Sequence, residues 1–129
     1  MSARAFITSE AARHACLAKP GAFLDRPFGP GTLVFKVGRR GAGRMFALMP
    51  ASGDPPEISL KCDPELAVAL RSRYPAVRPG YHLNKRHWNT IRLDGTVPDA
   101  HLAELIELSY VLVVRKLDAA ARAVLTGPG

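Results

Sequence analysis

The sequence has few cysteines, no long apolar run and few acids. The shortage of cysteine and the absence of a long apolar run each argue against a class of protein. Its only cysteines, Cys16 and Cys62, are too far apart for the CxxC pairs of structural zinc sites and too few for a disulfide framework. No run approaches the roughly 18 apolar residues that a membrane-spanning helix needs. Glu10 and Arg13 interrupt the first segment that could act as a secretion signal. We therefore expect a cytoplasmic protein with reduced thiols and no membrane contact.

Acids are missing from two long windows. The 129 residues include 18 Lys and Arg against 11 Asp and Glu, a formal net charge of +7. No acid lies between Asp25 and Asp54 or between Glu65 and Asp94, and most of the cations fall there. Such a field attracts nucleic acid, anionic membrane or acidic proteins. Nucleic acid is favoured because each window also contains a candidate β-hairpin.

Periodicity predicts one α+β domain over residues 1–129 with frayed ends at about 1–7 and 126–129. The element order predicts an antiparallel sheet of about five strands, with the longest helix packed on it. The Thr96 to Asp99 spacing predicts a capping box at the start of the longest helix, and Phe28 is expected to close the edge of the core. The predicted helices cover about 8–18, 63–74 and 99–116, and the first predicted strands cover about 33–37, 45–49 and 58–62.

The segment VRPGYHLNKRHWNTIRL, residues 77–93, combines cations, two histidines, Tyr81 and the only tryptophan, Trp88, with no acid. Pro79-Gly80 at its start and the alternation toward Leu93 predict a two-stranded ribbon. This composition is typical of a surface that meets an anionic, stackable partner. The alternative is that both aromatic rings pack in the core and the cations are merely solvated.

Catalytic and metal-binding alternatives have weak support. His82 and His87 with Cys62 could ligate a soft metal, and the same groups with Asn84 or Asn89 have the composition of a thiol hydrolase site. Neither set has the spacing of a familiar site or an oxyanion-hole signature. No phosphate-loop or dinucleotide fingerprint is present. We therefore expect no catalytic residue, no metal and no cofactor.

Several segments, PFGPGTLVFKV, ISLKCDPELAVAL, YPAVRPGYHLNKRHWNTIRLDGTVPD and SYVLVVRKL, make the chain resemble the MmcQ/YjbR-like family of small bacterial proteins. The resemblance spans about Leu17 to Leu117, and HLNKRHWN is its most specific part. It implies a two-layer α/β sandwich similar to that of the bacterial frataxin homologue (CyaY-like), with an antiparallel sheet covered by helices on one face. It also implies DNA binding by two hairpin wings, here residues 36–44 and 78–92. The first turn, GRRGAGR, is longer and richer in arginine than the family pattern.

Two hypotheses from different classes follow. The first is a monomeric nucleic-acid-binding module, with DNA as the expected partner. Its expected phosphate contacts are Lys36, Arg39, Arg40, Arg44, Lys61, Arg78, Lys85 and Arg86. Its expected stacking or base-edge contacts are Tyr81, His82, Asn84, His87, Trp88 and Asn89. The second is a non-enzymatic protein-interaction or small acidic-ligand module with a pocket framed by Tyr81, Asn84, Lys85, His87 and Trp88.

Overall fold

Strands of alternating apolar residues build one antiparallel sheet in the computed structural model, which describes residues 8–80 and 83–126. The strands are β1 (Ala22–Asp25), β2 (Thr32–Val37), β3 (Arg44–Pro50), β4 (Glu57–Lys61), β5 (Val77–Pro79) and β6 (Trp88–Arg92). The helices are α1 (Ser9–Leu17), α2 (Pro64–Arg73), α3 (Asp99–Val114) and α4 (Ala119–Thr126).

The sheet has six strands in the order β1-β2-β3-β4-β6-β5, and every neighbouring pair is antiparallel. The predicted α+β class is confirmed. Strand β1 was not predicted, because this four-residue strand follows the Pro20-Gly21 break closely. The two predicted hairpins are present, but neither is a free wing: β2 also pairs with β1, β3 with β4, and β6 with β4.

One face of the sheet carries the helices. Register places Leu60 opposite Asn89 and Ile58 opposite Ile91, so these four side chains share a face. They point toward the same side as the apolar residues of α1, α2 and α3 that form the main core. On the other face, Ser59 and Thr90 share a hydrogen bond of 2.8 Å between their hydroxyls.

A β-bulge in β3 opens the sheet beside β4. The register of β2 and β3 shifts at Phe35/Lys36, which leaves Phe46 without a partner residue on β2. Ser109 of α3 fills the gap, donating from Oγ to the Phe46 carbonyl at 2.6 Å and accepting from the Lys61 amide at 2.9 Å. Because Ser109 is fully buried, this bridge fixes the end of β4 against the helix.

Two local expectations were wrong. Phe28 is 67% exposed instead of closing the core, because the turn between β1 and β2 carries it away from the helices. The capping box does not form: Thr96 donates from its amide and hydroxyl to the Asp94 carboxylate at 3.0 and 2.6 Å, and Pro98 occupies the cap of α3. Thr96 therefore stabilises the turn that follows β6 through Asp94, and it does not cap α3.

Three connections lie at one end of the sheet. Residues 38–43 join β2 to β3, residues 62–63 join β4 to α2, and residues 80–87 join β5 to β6. Because all neighbouring strands are antiparallel, these connections share an end. Helix α3 begins after the opposite end and runs back, so that residues 115 and 116 reach the same place as the three connections.

Candidate nucleic-acid interface

Cations from four separate segments converge at this end of the sheet, which we call the basic edge. Its members are Arg39, Arg40, Arg44, Lys61, Lys85, Arg86, Arg115 and Lys116. Four ion pairs occur within residues 8–80 and 83–126, and none of them includes a residue of the basic edge. Cations from the two acid-free windows, Arg39, Arg40, Arg44, Lys85 and Arg86, therefore share one surface with Lys61, Arg115 and Lys116 from outside these windows.

The β2–β3 connection, residues 38–43, contains two glycines whose backbone conformation shapes the turn. Gly38 and Gly41 adopt positive φ values of 114° and 87°, a conformation that other residues enter only with strain. The turn leaves Arg39 and Arg40 exposed. The Arg40 guanidinium lies over the Phe23 ring, 5.0 Å from its centroid, whereas Arg39 and Arg44 line a shallow cavity with Lys116.

Lys61 is the cation at the centre of the basic edge. Burial lowers the pKa of Lys61 below its ordinary value, and repulsion from Lys116 and Arg44 lowers this pKa further. Lys116 and Arg44 are therefore near enough to Lys61 to disfavour its charged form. An anion placed among them would remove this repulsion.

Two predicted phosphate contacts lie elsewhere and already have partners. Lys36 forms an ion pair with Asp25 at 2.8 Å on the open face of the sheet, and its hydrogen bond is the main reason that the pKa of Asp25 is lowered. Arg78 forms an ion pair with Glu57 on the same face. Both cations are neutralised within the protein and do not extend the basic edge.

The described residues of the β5–β6 connection are bonded to α2 through Arg71. Its guanidinium donates to the Lys85 carbonyl and, through Nε, to Asn89 Oδ1 at 2.7 Å. The Lys85 ammonium donates to the Gly80 carbonyl at 3.0 Å, and Asn84 Oδ1 accepts from the Arg86 amide at 2.9 Å. These bonds hold residues 84–86 in place while the Arg86 side chain stays exposed. Arg71 escaped the sequence analysis because its partners are distant in the chain.

Asn89 is a structural residue here, which corrects its predicted role as a base contact. It is only 2% exposed and lies on the covered face, where its amide also donates to the Ala67 carbonyl at 3.3 Å. A buried side chain held by α2 on both its amide atoms cannot reach a base.

Asn89→Leu is expected to lower the free energy of unfolding by about 1–3 kcal/mol, because it leaves Arg71 Nε and the Ala67 carbonyl without their partner. Chemical denaturation measures this loss. Arg71→Leu should lower the free energy of unfolding less in the Asn89→Leu variant than in the wild-type protein, since the two residues share one hydrogen bond. Full additivity would contradict the coupling.

Trp88 is only 7% exposed, so the indole is buried, as expected from the alternative in which this ring packs inside the protein. It pairs with Lys61 of β4, and its carbonyl accepts from the Gly80 amide at 2.9 Å. A Cβ at Gly80 would lie 2.8 Å from that of Trp88, so glycine is what lets the chain pass so closely. The indole is a packing group with an edge at the surface.

A cavity of about 600 Å³ lies between the β5–β6 connection and the end of α3. Asn84, His87 and Trp88, three of the residues predicted to frame a pocket, do line it, whereas Lys85 does not. The other lining residues are Lys61, Cys62, Asp63, Leu112, Arg115 and Lys116. Burial, followed by the charge of Asp63, raises the pKa of the Cys62 thiol to about 11, so this cysteine is not a thiolate nucleophile at neutral pH.

Arg115 and Lys116 were missing from the predicted site. They follow α3 directly, and in the sequence they look like cations that complement the negative end of a helix. Only the direction in which α3 returns along the sheet brings them beside Lys61.

Tyr81 and His82, both predicted contacts, lie outside the described residues. Within residues 8–80 and 83–126, no group of three or more His, Cys, Asp or Glu side chains could hold a metal ion. Over the same part of the chain, no helix has the length and apolar character to cross a bilayer.

The fold and site define a class of small α+β proteins with an open antiparallel sheet, one helix-covered face and a cationic sheet end. The family model described as YjbR matches residues 17–112. The chain belongs to the YjbR family, as its sequence segments predicted.

Relatives and solved structures agree with this assignment. The uncharacterized protein YjbR of Escherichia coli (strain K12) is 39% identical over 102 residues, 79% of this chain and 83% of that protein. The uncharacterized protein YbdF of Escherichia coli O157:H7 is 38% identical over 105 residues, covering 81% and 83%. The crystal structure of Deinococcus radiodurans protein DR2400 has a TM-score of 0.88 and 45% identity over 95% of this chain and 91% of that one. A Pseudomonas syringae crystal structure has a TM-score of 0.69 and 29% identity, covering 82% and 98%. The similarity to the frataxin-like fold stays a prediction.

Proposed function

We propose that this protein binds DNA by contacting phosphates along the basic edge. The observation that carries the proposal is the convergence of cations from four segments, with no ion-pair partner within residues 8–80 and 83–126, at one end of the sheet. Cations whose charge is not neutralised by an acid of the protein are able to neutralise an external anion. A surface that carries several of them suits a polyanion better than a single carboxylate.

The dimensions of the edge fit a nucleic-acid backbone. From the β2–β3 connection to the β6–β5 connection there are about three strand spacings, or roughly 14 Å. Successive phosphates of one DNA strand advance about 3.4 Å along the helix axis. The edge therefore spans about four nucleotide steps, enough for several cations to meet different phosphates.

The expected contacts differ from the predicted wings. Because each hairpin also pairs with other strands of the sheet, we expect only the connections within the hairpins to contact DNA, and Trp88 and Asn89 are buried. Contacts limited to phosphates position a protein on DNA but do not read its sequence. We therefore expect binding that is nearly independent of base sequence.

Titration of duplex and single-stranded DNA at two salt concentrations tests the proposal. With about four to eight phosphate contacts, log K is expected to fall with log[salt] at a slope of roughly −4 to −7, so that affinity falls roughly 100- to 10,000-fold between 50 and 200 mM salt. No binding at low salt, or an affinity indifferent to salt, would refute a role in DNA binding.

A further inference from the structure

The cavity beside Lys61 has more positive charge than is needed to neutralise the single negative charge of one phosphodiester of a DNA backbone. Three cations line it, Lys61, Arg115 and Lys116, against the single acid Asp63. Asp63 also precedes the first turn of α2, where the positive end of the helix dipole offsets part of its charge. The wall therefore has an excess of about two positive charges at one point, which suits a dianion.

The cavity is also larger than a bare anion requires. Its volume of about 600 Å³ lies within the range of small-ligand pockets, about 300–1,000 Å³. Leu112 and the edge of Trp88 supply apolar surface, and Asn84 and His87 supply polar groups. A ligand that fills it combines a dianionic group with a body that is partly apolar and able to form hydrogen bonds.

The position of Lys61 is fixed by the fold. Its amide is bonded to Ser109 of α3 and its register partner is Trp88 of β6. Cys62 and His87, which also line the cavity, are joined by a hydrogen bond of 2.8 Å from the Cys62 amide to the His87 carbonyl. The cavity is therefore preorganised by strand pairing, which lowers the cost of ordering its wall around a ligand.

We propose that this cavity binds a phosphate monoester attached to a nucleoside, of the kind found at the end of a DNA strand or on a free mononucleotide. A monoester carries about −1.5 to −2 charges at pH 7, more than each diester of a backbone. The phosphate lies among Lys61, Arg115 and Lys116, and the nucleoside lies along His87 and the edge of Trp88. The strand-end form rests on the proposed DNA binding, whereas the mononucleotide form does not.

The test compares ligands that differ by the terminal phosphate alone. One oligonucleotide sequence is titrated with a 5′-phosphate, a 3′-phosphate or hydroxyls at both ends, and AMP is compared with adenosine. We expect at least one phosphorylated form to bind about tenfold or more tightly than its hydroxyl counterpart, since about two additional charges meet the cationic wall. The emission of Trp88, the only tryptophan, reports on binding at the cavity.

Variants separate this site from the rest of the basic edge. Lys61→Gln with Lys116→Gln is expected to reduce the preference for the phosphorylated ligand to below about twofold. Arg86→Gln, a matched change at an exposed position that does not line the cavity, should weaken phosphorylated and hydroxyl oligonucleotides alike and leave their ratio unchanged. Unaltered thermal midpoints establish that the variants fold.

Each outcome decides between the two proposals. A preference of AMP over adenosine that needs Lys61 and Lys116 supports the monoester site even if no oligonucleotide binds. A preference seen only with oligonucleotides supports the strand-end form. Equal binding of all three oligonucleotides, without discrimination between AMP and adenosine, overturns the monoester site and leaves the DNA interface standing. Absence of binding by every ligand overturns both proposals.

Discussion

Replacing Arg39, Arg86 and Arg115 together with glutamine is expected to weaken DNA binding roughly 100- to 1,000-fold at about 0.1 M salt. Each lost phosphate contact removes about 0.9 units from the salt slope, which amounts to nearly tenfold in affinity at that concentration. The three residues come from different segments and meet only at the basic edge. Fluorescence anisotropy with a labelled duplex at several salt concentrations measures both the affinity and the slope.

The matched control removes the same charge from the opposite end of the sheet. Arg26, Arg73 and Arg92 are exposed there, after β1, at the end of α2 and at the end of β6. Their replacement by glutamine lowers the net charge equally, but we expect less than about fivefold weakening, because long-range attraction is screened beyond roughly 10 Å at 0.1 M salt. Equal losses in the two triple variants would show that net charge, and not the basic edge, determines binding.

Neither triple variant is expected to unfold the protein. Exposed surface substitutions usually change the free energy of unfolding by less than about 0.5 kcal/mol each. Arg39, Arg86 and Arg115 form no ion pair within residues 8–80 and 83–126. A large drop in thermal midpoint would mean that these side chains contribute to folding, and the binding result could then not be assigned to phosphate contacts.

Alternation along the strands predicted more of the fold than of the site. It identified β2, β3, β4 and β6, and it placed Asn89 on the same face as Ile91 and Leu93. That face is the apolar one, so the burial of Asn89 follows from the same pattern that revealed the strand. The local sequence held no sign of Arg71 as its partner, because that contact depends on how α2 crosses the sheet.

The basic edge is a product of topology. Charge windows in the sequence identified Arg39, Arg40, Lys85 and Arg86, but not whether the two loops meet. Antiparallel pairing throughout the sheet brings both loops to one end, and the return of α3 adds Arg115 and Lys116. The bulge at Phe46 and the Ser109 bridge, which determine where Lys61 lies, leave no periodic trace in the sequence.

Trp88→Ala is expected to lower the free energy of unfolding by about 3–5 kcal/mol, the usual cost of removing a large buried aromatic side chain. The indole is 7% exposed. Its neighbours Lys61, on β4, and Gly80, directly after β5, are held by backbone pairing to Trp88, so the structure has little freedom to collapse into the space. For a chain of this length, the thermal midpoint should fall by roughly 10–20 °C. Thermal and urea denaturation followed by circular dichroism measure the change without relying on the lost fluorophore.

Trp88→Phe is the conservative partner of this variant. Phenylalanine retains a ring in the same position, so we expect it to recover more than half of the lost stability. The folded phenylalanine variant should retain near-normal affinity for DNA that lacks a terminal phosphate, since phosphate contacts at the basic edge do not involve the indole.

If Trp88→Ala instead keeps the wild-type midpoint and loses roughly 1–3 kcal/mol of binding free energy, the ring is a stacking platform for a base. If it keeps both the midpoint and the affinity, the indole has neither role.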